Sequence, residues 1–152
     1  MALVTMKSLL NNALENRYAV GYFESWNMES LLSVIDAAER TRSPVIIGFG
    51  GQFLSNPERR VKENIYHYGS LGKAAAEQAG VPVALLLNEA PEVSMLINAL
   101  KAGFNAIMHQ DPKVSLEEAE AFAQEYLLPG EHLCVWSDED NETPVARYGC
   151  DD

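Results

Sequence analysis

Short apolar segments alternate along this chain with longer segments in which apolar residues recur at the spacing of an α-helix. The short segments predict strands at 18–23, 45–49, 81–87, 104–108 and 132–136. The third of these, 81–87, is apolar at nearly every position, which is typical of a parallel strand buried on both faces. Strands that alternate with helices in this way form βα units. The pattern therefore predicts an α/β fold with about four βα units and a fifth parallel strand.

Capping residues mark the beginnings of several predicted helices. Thr5 precedes an N-terminal helix within residues 1–17, and Asn27 precedes the next helix. Ser115 and Glu118 have the spacing of a capping box at the start of the last helix. The helix after Asn27 carries one apolar stripe that we expect to be buried, formed by Met28, Leu31, Leu32 and Ile35.

Glycine and proline residues organise the second unit. The run Gly48-Phe49-Gly50-Gly51 lacks the spacing of a phosphate-binding loop and predicts a tight turn. Asn56-Pro57 predicts the start of a long helix that reaches about Ala79. No linker or low-complexity segment divides the chain, so we expect one domain over residues 1–152 that ends in an acidic tail over 137–152.

Charge and cysteine content narrow the classes of function. Of the 152 residues, 22 are acidic and 11 are basic, which gives a formal net charge of −11. Such a field repels nucleic acid and anionic membrane surfaces, so neither is an expected partner. The chain has no apolar run of spanning length and no signal-peptide pattern at its start. Its two cysteines, Cys134 and Cys150, do not have the spacing of a metal site. We expect a cytoplasmic protein with free thiols.

Six stretches, in order along the chain, resemble the N-terminal half of the class II fructose-bisphosphate aldolases, which are zinc-dependent TIM-barrel lyases. They are Met1-Ala2-Leu3-Val4-Thr5-Met6, Tyr18-Ala19-Val20-Gly21, Ala37-Ala38-Glu39, Ser43-Pro44-Val45-Ile46, Val81-Pro82-Val83-Ala84, and Ala102-Gly103-Phe104 with Met108. The resemblance implies that the α/β fold is a TIM-barrel-like partial barrel. A complete TIM barrel takes about 250 residues.

The resemblance also locates a degenerate catalytic motif. The family usually carries an Asp as general acid/base and a His as zinc ligand after its third strand, and the matching residues here are Asn88 and Glu89. A neutral amide does not take up a proton near pH 7. Glu89 retains an oxygen that zinc accepts as a ligand. The Asn that often follows Phe in the family's first strand is Glu24 here.

Further polar or glycine residues follow the predicted strands. At the C-terminal strand ends, where TIM-like arrays carry their chemistry, the sequence adds Gly50, His109, Asp111 and Asp138. Two interpretations stay open. Glu89, His109, Asp111 and Asp138 converge on a metal, with Asp138 as the nearest match to a family carboxylate, or these residues are solvated polar side chains on loops. No ligand-spacing motif joins them.

Two functions are consistent with these observations. The first is a class II aldolase-like domain without family catalysis, acting as a non-catalytic subunit or small-ligand-binding module with no cofactor. The alternative is a metal-dependent aldehyde-lyase that acts on a phosphorylated sugar, with zinc as its cofactor and its site completed by another chain.

The strand count also predicts a partner. Four βα units and a fifth strand cannot close an eight-stranded barrel, so we expect exposed sheet edges. A homodimer, or a chain that supplies the missing half-barrel, would cover these edges. A small sugar-phosphate-like molecule is the expected ligand.

Overall fold

A six-stranded sheet organises the part of the protein that the structure describes. The computed structural model describes residues 2–110, 115–128, 131–136 and 144–149. The helices are α1 (Met6–Asn16), α2 (Met28–Thr41), α3 (Gly51–Ser55), α4 (Ile65–Gln78), α5 (Val93–Ala102) and α6 (Leu116–Tyr126). The strands are β1 (Gly21–Glu24), β2 (Val45–Gly50), β3 (Val83–Ala90), β4 (Ala106–His109), β5 (His132–Trp136) and β6 (Pro144–Gly149). They lie in sequence order, and β1 to β5 are parallel. The predicted α/β fold with its fifth parallel strand is confirmed.

The two faces of the sheet carry different apolar layers, because successive side chains of a strand point to opposite faces. On the outer face, residues such as Ile47 and Leu85 pack against the helices that connect the strands. On the inner face, Met6 and Leu9 of α1 pack on a smaller cluster that includes Leu86. Helix α1 begins at the Thr5 cap, as predicted. The inner face is the side that a closed barrel would enclose.

The second unit differs from its prediction. Strand β2 continues through Gly48 to Gly50, so these glycines do not form a tight turn. The predicted long helix is also wrong, because α3 is short and α4 begins only after Asn64, whose side chain accepts a hydrogen bond from the Tyr66 N–H. The Asn56 side chain accepts from the N–H two residues on, which favours a turn over a helix start.

The apolar stripe predicted for α2 is only half buried. Leu31 and Ile35 lie in the core, as expected, whereas Met28 and Leu32 are 54% and 50% exposed. Strand β1 is an edge strand, so within the described residues α2 has a neighbouring helix, α4, on one flank only. The exposed half of the stripe therefore lies where a further element of the barrel would pack.

The acidic tail predicted over 137–152 is wrong for its central part. Residues Pro144–Gly149 form β6, which pairs antiparallel with β5. This pairing satisfies backbone groups that the outer edge of β5 would otherwise expose. The remaining tail residues lie outside the described part of the chain. None of the described helices has the length and apolarity needed to cross a membrane.

A substitution at Gly48 tests how closely strands β2 and β3 approach each other. A methyl group at Gly48 would overlap the backbone carbonyl oxygen of Leu86, and backbone cannot move aside as a flexible side chain can. We expect Gly48→Ala to lower the free energy of unfolding by about 3 kcal/mol. At Gly80 the nearest atom to an added methyl is 3.6 Å away, so Gly80→Ala is the control and should change stability by less than about 1 kcal/mol. Equal effects of the two substitutions in urea denaturation would contradict this packing.

Candidate functional site

Side chains from β1 and β3 meet at the C-terminal end of the sheet's inner face. The Asn88 amide Nδ2 donates a hydrogen bond to Glu24 Oε2 over 3.1 Å. The Tyr22 hydroxyl donates to the same oxygen over 3.0 Å. Glu24 and Asn88 are both half-buried, so a carboxylate and a carboxamide lie side by side within reach of solvent.

Glycines on β2 make this contact across the sheet possible. Strand β2 lies between β1 and β3, and the register places Gly48 beside Glu24 and Gly50 beside Asn88. Neither glycine has a side chain to separate the two polar groups. An ideal Cβ at Gly50 would lie 2.8 Å from Glu24 Oε1, so this second carboxylate oxygen occupies the space over Gly50.

Glu89 follows directly after Asn88 and has a backbone conformation unusual for its residue type. Its φ is 49°, in the left-handed region, and the pairing of β3 with β4 is irregular between Leu87 and Ala90. A non-glycine residue in this region costs about 1–2 kcal/mol. Strained backbone of this kind is concentrated at functional sites. The irregularity therefore coincides with the polar end of β3.

Burial and two carboxylates set the protonation of Tyr22 at this site. Burial, then the negative charge of Glu24 and its hydrogen bond, and then the charge of Glu89 raise the pKa of Tyr22 far above its usual value near 10. Tyr22 therefore remains a neutral hydrogen-bond donor at physiological pH. The contribution of Glu89 to this shift shows that both carboxylates act on the same end of the sheet.

A small, partly open space lies next to this site. It has a volume of about 10 Å³ and is lined by Ser25, Trp26, Phe49, Gly50, Phe53, Leu54, Arg59, Glu63 and Tyr68. Ser25 is 3% exposed, and among the described residues its Oγ has no hydrogen-bond partner. Arg59 Nη2 pairs with Glu63 Oε1 over 2.6 Å. The space is no larger than one water molecule, so it is not a ligand pocket.

The site residues predicted from the sequence separate into three groups. Glu24, Gly50 and Asn88 come together, and Glu89 adjoins them. His109 is buried at the end of β4, where it is 7% exposed. Asp111 and Asp138 lie outside the described residues.

A zinc site of the kind that the sequence left open finds no support in these residues. The described part of the chain contains no group of three or more His, Cys, Asp or Glu side chains that could hold a metal ion. A catalytic zinc site takes three protein ligands and an open position. Among the described residues, Glu89 has no companions that would complete such a site.

Sequence reasoning missed two participants, Tyr22 and Gly48. Both have a signal in the sequence, since Tyr22 and Glu24, like Gly48 and Gly50, are two residues apart and so share one face of a strand. A tight turn at Gly48-Phe49-Gly50-Gly51 would end β2 early, so that prediction hides the alternation of the two glycines.

The fold and the site together define a partial barrel of βα units with its polar residues at the strand ends. The chain matches the family Fructose-bisphosphate aldolase class-II over residues 4–130. It therefore belongs to that family, as the resemblance implied.

Several characterised and uncharacterised proteins are similar to it. Uncharacterized protein YdjI from Escherichia coli K12 is 33% identical over 108 residues, which cover 71% of this chain and 37% of YdjI. Sulfofructosephosphate aldolase from Alkalicoccus urumqiensis is 28% identical over 118 residues, with coverage of 78% and 39%. Fructose-bisphosphate aldolase from Geobacillus stearothermophilus is 34% identical over 110 residues, with coverage of 71% and 37%. The chain spans less than two-fifths of the length of these relatives.

A solved structure shows the same arrangement. The X-ray crystal structure of the YdjI aldolase from Escherichia coli K12 superposes with a TM-score of 0.66 at 31% sequence identity. The match covers 82% of this chain and 45% of that one. The likeness confirms the partial TIM-barrel-like fold.

Tyr22 gives the site a testable pH dependence. Its pKa is higher in the folded than in the unfolded chain, so the folded state holds the phenol proton more tightly. The resulting stabilisation is fully present below about pH 10 and is lost as the pH rises above it, because the unfolded chain then releases the proton first. We expect the difference in unfolding free energy between the native protein and Tyr22→Phe to shrink from about pH 9 to about pH 11. Parallel urea-denaturation curves across that range would show that Tyr22 is not held in this way.

Proposed function

We propose that this chain is a class II aldolase-like domain that binds a small polar molecule at its strand ends and lacks the family's proton transfer. The observation that carries the proposal is the hydrogen bond from Asn88 to Glu24. Asn88 stands where the resemblance implies a general acid/base, and a carboxamide has no group that titrates near neutral pH. Its amide instead acts as a fixed donor.

The environment of Glu24 supports binding over proton transfer. One of its oxygens already accepts two hydrogen bonds, from Tyr22 and from Asn88. A carboxylate oxygen that accepts two hydrogen bonds is held in place by both donors. Glu24 is thus suited to act as an acceptor that orients a ligand. An acceptor that orients a ligand suits a binding module or a non-catalytic subunit. We place this protein in the cytoplasm, where its two cysteines would stay reduced.

A second candidate is an aldehyde-lyase that acts on a phosphorylated sugar and whose site is completed by another chain. The names of two relatives, fructose-bisphosphate aldolase and sulfofructosephosphate aldolase, favour it. Because this chain spans less than two-fifths of those proteins, other residues would have to come from elsewhere. Glu89 would then be one metal ligand among several.

We also propose a homodimer formed through the edge of β1. Within the described residues, β6 covers the edge of β5, whereas no strand pairs with the outer edge of β1. A chain that supplied the missing half-barrel would have to pair with both edges of the sheet. A two-fold dimer needs only one edge, here the edge of β1. Beside β1, a groove of about 490 Å³ runs along α2, lined by apolar residues that include Phe23, Val34, Ala37 and Val45. Phe23 is 54% exposed there.

Metal content and cleavage activity separate the two functions. Protein purified without chelators should contain zinc well below one equivalent, with no difference between the native chain and Glu89→Ala. It should not cleave fructose 1,6-bisphosphate, even with added zinc, because Asn88 supplies no base. Glu29→Ala, at an exposed position in the first turn of α2, is the matched control. Near-stoichiometric zinc that Glu89→Ala alone loses, or cleavage by the native chain, would favour the lyase.

Sedimentation velocity tests the dimer. The native chain should sediment as a dimer, and Phe23→Lys as a monomer, because two lysines would meet at a two-fold interface. Val61→Lys is the control, since Val61 is 70% exposed and lies on the loop between α3 and α4. A monomeric native chain, or dissociation by both substitutions, would contradict the proposed interface.

A further inference from the structure

We infer that Glu24 is the specificity-determining residue of the strand-end site, and that with Asn88 it selects an uncharged polyhydroxy ligand, such as an unphosphorylated sugar, over a sugar phosphate. The inference rests on the proposed binding function and adds the chemical class of the ligand. It follows from which atoms of the two half-buried side chains are already hydrogen-bonded and which are not.

The Glu24 carboxylate has one oxygen to offer. A carboxylate has two oxygens with about four acceptor positions. Both hydrogen bonds that the described residues make to Glu24 end on Oε2. Oε1 lies over Gly50 beside the Phe53 ring, and it accepts neither of these hydrogen bonds. A ligand that engages Oε1 must therefore donate a hydrogen, as a hydroxyl group does.

Asn88 supplies the complementary chemistry. A carboxamide has two N–H donors and an acceptor oxygen, and only one N–H is used on Glu24. A hydroxyl group donates and accepts at once. One hydroxyl of a sugar can therefore donate to Glu24 Oε1 while a neighbouring hydroxyl pairs with the Asn88 amide. Trp26 is 54% exposed, and its ring centroid lies 4.2 Å from that of Phe53 in a tilted arrangement. It offers an apolar surface two residues beyond Glu24.

The charge distribution acts against phosphate groups. Glu89 adds a second carboxylate at this end of the sheet, and Tyr22 is neutral. Arg59, the basic residue beside Gly50 in the small adjoining space, is already paired with Glu63. The whole chain carries a net charge of −11. A phosphate at Glu24 would thus meet like charges without a free cation from these residues.

A titration with matched sugars tests the inference. ¹⁵N-labelled protein is titrated with D-fructose, with D-fructose 1,6-bisphosphate and with ethylenediamine, while amide shifts are followed at Glu24, Asn88 and Glu89. We expect fructose to shift these amides and to bind at least about tenfold more tightly than the bisphosphate, since like charges oppose the phosphate groups. In Glu24→Gln this preference should fall to about threefold or less, because one repelling charge and one strong acceptor are lost. Glu29→Gln, at an exposed position of α2, should keep the native ratio.

The variant Glu89→Gln separates the effect of negative charge on binding from the effect of the hydrogen bonds to Glu24. It also replaces Glu24→Gln as the test if that variant does not fold. It removes a negative charge but leaves both hydrogen bonds to Glu24, so bisphosphate binding should strengthen by about threefold. The inference would be overturned if the native chain bound the bisphosphate as tightly as fructose or more tightly. It would also be overturned if ethylenediamine bound more tightly than fructose, or if none of the three compounds shifted the amides of Glu24, Asn88 and Glu89. Conversion of the bisphosphate to triose phosphates in the same sample, visible by ³¹P NMR, would instead overturn the proposed function.

Discussion

The hydrogen bond between Asn88 and Glu24 depends on a strand that contributes no side chain to it. Strand β2 runs between the two residues, and only the absence of side chains at Gly48 and Gly50 lets the carboxylate and the amide meet. The packing of β2 against β3 uses the same glycine, because Gly48 lies against the Leu86 carbonyl. The glycines thus serve both the close approach of the strands and the polar site above them.

The partial barrel leaves a sheet edge open close to the candidate site. On the inner face, α1 covers an apolar cluster, and the strand ends beyond it carry Tyr22, Glu24 and Asn88. One sheet edge is covered by β6, whereas β1, which carries two of these three residues, is the open edge within the described part of the chain. A partner at β1 would therefore lie next to the site, so assembly and ligand binding are expected to influence each other.

Much of the fold was predictable because its determinants are local. The Thr5 and Asn27 caps, the Ser115–Glu118 capping box and the apolar third strand each appear in the structure as predicted. The second unit was mispredicted because Asn56 and Pro57 suit a turn as well as a helix start, and only the packing of the chain decides between them. Strand β6 has no comparable local signal, since it forms by pairing with β5.

The candidate site was predictable residue by residue but not as a geometry. Glu24, Gly50 and Asn88 each follow from their positions at strand ends, yet the contact between β1 and β3 depends on the register of both with β2. A sequence shows that a carboxylate and an amide are present. It does not show that they share a hydrogen bond, which requires three strands in one sheet.

The most direct measurement of this account is the NMR spectrum of the Asn88 side-chain amide. If Asn88 donates to Glu24, one of its two Nδ2 protons should resonate downfield of the other, and Glu24→Gln should move that proton while Glu89→Gln leaves it near its native position. The same Asn88 amide shifts in the native chain and in Glu24→Gln would show that the two residues do not meet, and would contradict the account of the site.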